Sequence, residues 1–227
     1  MCTRYTLKNM QALSDFYRAL GVALGAGDFA PRFNVAPTQR MPVIVSQGRA
    51  VLTEMAFGIT LPPRPPGKRG LLVVTARSES FLEKPAFREA VRHRRCLVPA
   101  DGFYEWEKAG RARLPHYLYL KEKRVFGFAG LWQPETESTP AGFAIVTTSP
   151  NDLLRPFHDR MPVILGPNSG PAWLGADPIE PALLARLCRP LPAEMMASHR
   201  VDPRVNNVRY EAPDCIDPLP AQPEPFA

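Results

Sequence analysis

The sequence has no apolar run approaching the roughly 20 residues of a membrane-spanning helix. Its start shows no basic segment followed by an apolar stretch, so a secretory leader is not expected. Cysteine is scarce. Four thiols, Cys2, Cys96, Cys188 and Cys215, stand far apart with no CxxC pair. That spacing argues against a disulfide framework or a zinc site, and the last three cysteines read as buried thiols. A soluble protein of the reducing cytoplasm is expected. No glycine-rich phosphate loop or metal-ligand spacing occurs, so no cofactor and no metal is expected. Internal repeats and a domain linker are also missing.

What is present is basic and rich in proline. The 227 residues carry a net charge of +6, which suits an anionic partner, nucleic acid first. Many of the 27 prolines fall in 60–66 and near the end, marking rigid loops and a tail. Residues 3–7 read as a strand, and Leu7, Met10, Leu13, Phe16, Tyr17 and Leu20 recur at the spacing of an amphipathic helix over 8–20. Strands 42–46 and 50–57 flank a Gln47-Gly48 turn, followed by a stiff basic loop over 58–70 and an apolar run at 71–74. A helix is expected near 80–92, then strands near 95–99, 103–108, 115–121, 124–132 and 142–148. Further helices are expected near 150–155, 169–174 and 179–187, with strands at 161–165 and 204–210 and a disordered tail at 219–227. Short strands interrupted by a few helices predict an α+β fold on a curled, mostly antiparallel, barrel-like sheet, as a single domain over 1–218.

Four segments carry chemistry. The first is Cys2 with Arg4. Removal of Met1 would leave Cys2 with a free α-amine and a thiol on adjacent carbons, titrating near ~8 and ~8.5. The amine can condense with an aldehyde to an imine, and the thiol can then close a five-membered thiazolidine. A frayed terminus with an idle cysteine is the commoner meaning of such a residue. The second segment is Thr75-Ala76-Arg77-Ser78-Glu79. The third is Gly102-Phe103-Tyr104-Glu105-Trp106, where aromatics around a strand carboxylate would desolvate it and raise its pKa toward neutrality. The fourth is Phe157-His158-Asp159-Arg160-Met161-Pro162, a histidine tuned by adjacent charges. A solvent-facing glutamate and a loop-capping histidine are the ordinary alternatives for the last two. His93, His116 and His199 are assigned to a basic helix end, an alternating strand and a polar loop.

With these motifs in view, the sequence resembles the SOS response-associated peptidase (SRAP) family. The resemblance is carried by Met1-Cys2-Thr3-Arg4-Tyr5, Arg32-Phe33-Asn34-Val35-Ala36-Pro37, Ala76-Arg77-Ser78-Glu79, Gly102 to Trp106, and His158 to Pro162. Val205-Asn206-Asn207 and Cys215-Ile216-Asp217-Pro218 extend it over about residues 2–218. The resemblance implies the SRAP fold and a covalent sensor of abasic sites in single-stranded DNA, acting in the DNA-damage (SOS) response through a thiazolidine on Cys2. It implies lyase and self-processing peptidase activities, a nucleoid-associated cytoplasmic protein and a monomer. Cys2 would supply both nucleophiles, Glu105 would shuttle protons at the Cys2 amine, and His158 would assist opening of the deoxyribose. Arg4, Arg77 and Arg160 would bind phosphates. Asn34 and Pro37 are carried over as further DNA-binding positions, and Thr75 as a site position.

Two departures from the family pattern stand out. Thr75 occupies the place of the usual Asn, exchanging an amide with two donors for one hydroxyl. The segment after Phe57-Gly58-Ile59-Thr60 has no tryptophan, which removes a base-stacking contact worth ~1–3 kcal/mol. Arg64, Lys68 and Arg69 would offset part of that through phosphate contact, at the cost of greater salt sensitivity. Two other functions compete: a thiol peptidase using Cys2, His158 and Glu105, and a single-strand-binding module whose crosslinking is reduced by Thr75.

Overall fold

In the computed structural model the described residues are 3–22, 29–62, 70–175 and 178–220. Cys2, residues 63–69 of the basic loop expected over 58–70, and most of the expected tail therefore lie outside them. The elements in order are β1 (Tyr5–Leu7), α1 (Met10–Ala19), β2 (Arg32–Val35), β3 (Arg40–Ser46), β4 (Ala50–Phe57), β5 (Ile59–Leu61), β6 (Leu71–Val73), β7 (Thr75–Arg77) and α2 (Pro85–His93). Then come β8 (Arg95–Ala100), β9 (Gly102–Ala109), β10 (Ala112–Leu120), β11 (Phe126–Gln133), β12 (Gly142–Thr148), β13 (Met161–Pro162), β14 (Ile164–Leu165), α3 (Gly170–Leu174), α4 (Pro181–Leu187) and β15 (Met196–Arg200).

Strand pairing builds two large sheets and a separate two-stranded one, β5-β6. One large sheet runs β15-β10-β9-β1-β2, every pair antiparallel. In the other, β12 pairs with β4 and with β11, so β12-β4-β3-β8-β11 closes on itself as a small barrel. Closure leaves β12 without a free edge inside the ring. β12 also holds β7 in parallel and β13 antiparallel along its remaining length. The expected α+β class with a curled, mostly antiparallel sheet is the architecture observed.

Apolar alternation explains the join between the sheets. Tyr5 meets Phe57 and Phe128 edge-on at 5.7 and 5.8 Å, and Phe103 meets Phe128 at 5.9 Å. β1 and β9 therefore pack on the barrel and share one core with it. Tyr104 and Tyr117 belong to a second cluster with Val201, Val205 and Cys215, where the C-terminal segment covers the five-stranded sheet. Gly102 is required at the start of β9: a Cβ there would lie 2.1 Å from the Tyr117 hydroxyl.

Several local expectations are corrected. Residues 204–210 form no strand: Pro203–Asn206 is a 3-10 turn capped by Asp202, and β15 lies earlier. The alternation of RVNNVRY is overridden because Pro203 fixes a turn and Asn34 captures carbonyls along the segment. Residues 150–155 make turns gathered on Asn151 rather than a helix. Residues 59–61, expected within a loop, form a strand that pairs antiparallel with 71–73 of the apolar run. His199 lies in β15, with Nε2 2.8 Å from the Ile216 carbonyl, rather than in a loop.

Candidate active site

The start of the chain is led to the site by backbone pairing. Tyr5 is the partner of Phe103, and the Tyr104 N–H donates to the Arg4 carbonyl at 3.0 Å. Because β1 and β9 are antiparallel, Thr3 lies beyond Arg4 on the side of Glu105. Asp101 anchors this crossing: its buried carboxylate accepts from the N–H groups of Lys8 and Asn9 at 2.7 and 2.8 Å. Thr3 consequently lines a cleft of about 1000 Å³ together with Glu105, Trp106, Phe157 and His158. Cys2 is the next residue in the chain.

Glu105 is 1 % exposed, and burial pushes its pKa up to about 7, with the nearby Asp159 charge acting in the same direction. Near neutral pH such a carboxyl is divided between its two protonation states, the condition for passing protons both ways. His158 is half-buried, at the end of a turn in which its N–H donates to the Leu154 carbonyl. The Arg160 N–H donates to His158 Nδ1 at 3.0 Å, which leaves the proton of the neutral ring on Nε2. Asp159 Oδ1 lies 2.6 Å from the same Nδ1 and favours the charged ring. Burial, aided by Lys108 and Arg160, outweighs it and holds His158 below the ordinary histidine range. The neighbouring Phe157 packs in a tilted arrangement, 4.4 Å between ring centroids, against His116, which is the cross-strand partner of Glu105 and is tied to Glu107 at 3.1 Å. That contact joins the His158 turn to the β9–β10 hairpin that carries Glu105.

The remaining sequence candidates are distributed differently. Arg77 and Arg160 gather at one end of β12. Arg77 is exposed and pairs in register with Thr147, whose carbonyl accepts from Arg160 at 2.6 Å. Arg160 is also held in a two-pronged pair with Glu79 at 2.9 and 2.7 Å, which keeps the Glu79 pKa low. A phosphate approaching Arg160 must therefore displace or share a carboxylate. Thr75 is half-buried at the start of β7, opposite Ile145 of β12.

Arg4 and Asn34, expected at phosphate and DNA, are both buried and hydrogen-bonded within the protein. Arg4 is 6 % exposed, and burial lowers its pKa. Its guanidinium donates to Asn34 Oδ1 and the Val205 carbonyl. Asn34, fully buried, donates onward to the carbonyls of Val205, Asn207 and Tyr210. The pair clamps the C-terminal segment onto β1 and β2. Pro37 is half-buried in the loop after β2 and does not line the cleft.

The structure adds residues that sequence reasoning did not single out. Trp106 lines the cleft and its indole N–H donates to Asn206 Oδ1 at 2.6 Å. Lys108, Arg113 and Arg155 line it as well. Trp106 was within reach through its motif; the three cations are brought together only by the hairpin and the His158 turn. Among the described residues no group of acids, histidines and cysteines is arranged to hold a metal ion. No described helix is long and apolar enough to cross a membrane.

The family model described as "SOS response associated peptidase (SRAP)" matches residues 1–208. The chain belongs to the SRAP family. Among its SRAP relatives, the abasic site processing protein YoqW of Bacillus subtilis is 34 % identical over 226 residues, covering 96 % of this chain and 99 % of that one. The abasic site processing protein HMCES of Gallus gallus is 27 % identical, covering 86 % of this chain and 68 % of its own length. The SRAP architecture recurs in a crystal structure from Bacteroides thetaiotaomicron with a TM-score of 0.77, 22 % identity and coverage of 96 % and 100 %. A phage-related protein from Bordetella bronchiseptica aligns with a TM-score of 0.68, 27 % identity and the same coverage.

Proposed function

We propose that this protein processes abasic sites in single-stranded DNA, and that it does so by covalent capture on Cys2. Abasic-site processing is supported by membership of the family and by the names of the curated relatives. The observation that carries the covalent reading is the shared cleft: Thr3, next to Cys2, lines it with a buried carboxyl poised near neutral pH and a half-buried histidine.

The chemistry then divides among named groups. His158 offers its Nε2 proton toward the deoxyribose ring oxygen, favouring the open aldehyde. The Cys2 amine adds to the aldehyde carbon, and the carbinolamine loses water to give an imine; Glu105 accepts a proton from nitrogen and returns one to the departing hydroxyl. The Cys2 thiol next forms a bond to the imine carbon, the C=N electron pair moves to nitrogen, and the thiol proton passes there through Glu105. The product is a thiazolidine. Removal of Met1 comes first, because an acylated nitrogen is not a nucleophile.

Intact mass spectrometry before and after incubation with an abasic oligonucleotide tests the proposal. The expected result is loss of Met1, then a denaturation-resistant adduct that has lost one water and is absent for Cys2→Ala. Acetylating the mature α-amine while the thiol stays free separates the readings: crosslinking should stop, whereas a thiol peptidase would remain active. Absence of an adduct from the protein lacking Met1 would overturn covalent capture and favour simple single-strand binding.

A further inference from the structure

Beyond Glu105 the β9–β10 hairpin ends in charges that do not cancel. Lys108 and Arg113 are cross-strand partners, both exposed, and both line the cleft. Like charges directly opposite in an antiparallel pair are destabilising, where an opposite pair would contribute. Among the described residues neither forms an ion pair. Glu107, the carboxylate between Lys108 and Glu105, is committed to His116 at 3.1 Å. Arg155, from the turn that presents His158, brings a third cation to the same cleft. Its partner Asp152 is 84 % exposed, so this pair is weak and easily exchanged. The acids lining the cleft are Glu105, held near neutrality, and Asp159, beside His158. Lys108 stands three residues from Glu105, roughly 10 Å along an extended strand.

We propose that Lys108, Arg113 and Arg155 form a phosphodiester subsite, separate from the Arg77–Arg160 cluster, that holds the DNA strand next to the abasic residue. This rests on the single-stranded DNA reading above and sharpens it: the preferred substrate is an abasic site that continues into a neighbouring nucleotide. Docking a phosphate would also quench the Lys108 charge acting on His158. Strand binding would then make His158 easier to protonate as the sugar arrives.

The test uses the full chain, the Lys108→Gln/Arg113→Gln double variant, and abasic oligonucleotides with one neutral methylphosphonate walked along the backbone. At subsaturating DNA the double variant should form adduct about tenfold more slowly, the worth of one charge-assisted contact. At saturation its rate should stay within about twofold of wild type, and its salt slope should shrink by about 0.7, the value for one phosphate on a single strand. One methylphosphonate position should slow the wild type and leave the variant unaffected. Equal slopes and the same positional sensitivity in both proteins would overturn the subsite. If wild type forms no adduct, anisotropy of the same oligonucleotides decides: a position-specific loss of affinity found only in wild type supports the subsite, and its presence in both overturns it.

Discussion

Glu105 carries a cost that should be measurable. Its pKa is raised from 4.5 to about 7 by burial, so the folded state holds a proton that the unfolded state releases. Between those values the unfolded chain binds fewer protons, and stability falls as pH rises through the window. The upper bound is about 3 kcal/mol at pH 8, taking 1.36 kcal/mol per pKa unit. Glu105→Gln should match wild type in Tm near pH 4 and exceed it near pH 8 by at most about 6–12 °C, at about 2–4 °C per kcal/mol for a chain of this size. A constant Tm difference from pH 4 to 8 would contradict the burial account. His158 permits a second residue-level measurement. Lys108 is among the charges lowering its pKa, so Lys108→Gln should move its NMR titration upward in the free protein. An unchanged titration would mean that the Lys108 charge does not reach the ring.

Elements show where sequence reading succeeds and where it stops. α1 was legible because Leu13, Phe16 and Tyr17 fall on one buried face, and Asn9 caps it by accepting from the Ala12 N–H at 3.0 Å. Glu105 and His158 were legible through motifs. The buried contacts of Arg4 and Asn34 were not, because they are made with residues some 170 to 200 positions away in sequence. A local pattern cannot report such a partner. This difference has a direct test. If Asn34 is a clamp, Asn34→Ala takes the Oδ1 acceptor from the Arg4 guanidinium and the side-chain donor from the Asn207 and Tyr210 carbonyls, leaving Arg4 only the Val205 carbonyl and costing roughly 2–4 kcal/mol. Tm should drop by about 10 °C, and limited proteolysis should open the chain within 203–216. A variant with wild-type Tm but weakened DNA binding would return Asn34 to the DNA-contact role.

At the scale of the whole molecule, the class of fold and its barrel-like curl were visible in the succession of short strands, but the order of strands around the barrel was not. Closure depends on β12 meeting both β4 and β11, a parallel and an antiparallel pairing that alternation alone cannot order. Charge is also a property of the whole chain, and it bears on affinity more than on chemistry. The net charge is +6, and single-strand binding should lose affinity with salt at about 0.7 in log–log slope for each phosphate engaged. The segment PPRPPGKRG offers Arg64, Lys68 and Arg69 where a stacking tryptophan is missing. Replacing all three by Gln should reduce the slope by about 2, because a stacked base would be largely indifferent to salt while a phosphate contact is not. The adduct should still form at saturating DNA, since these residues neither supply the nucleophiles nor shuttle their protons. An unchanged slope would place the strand away from this loop. A lost adduct at saturation would instead assign the loop to assembly of the reacting geometry.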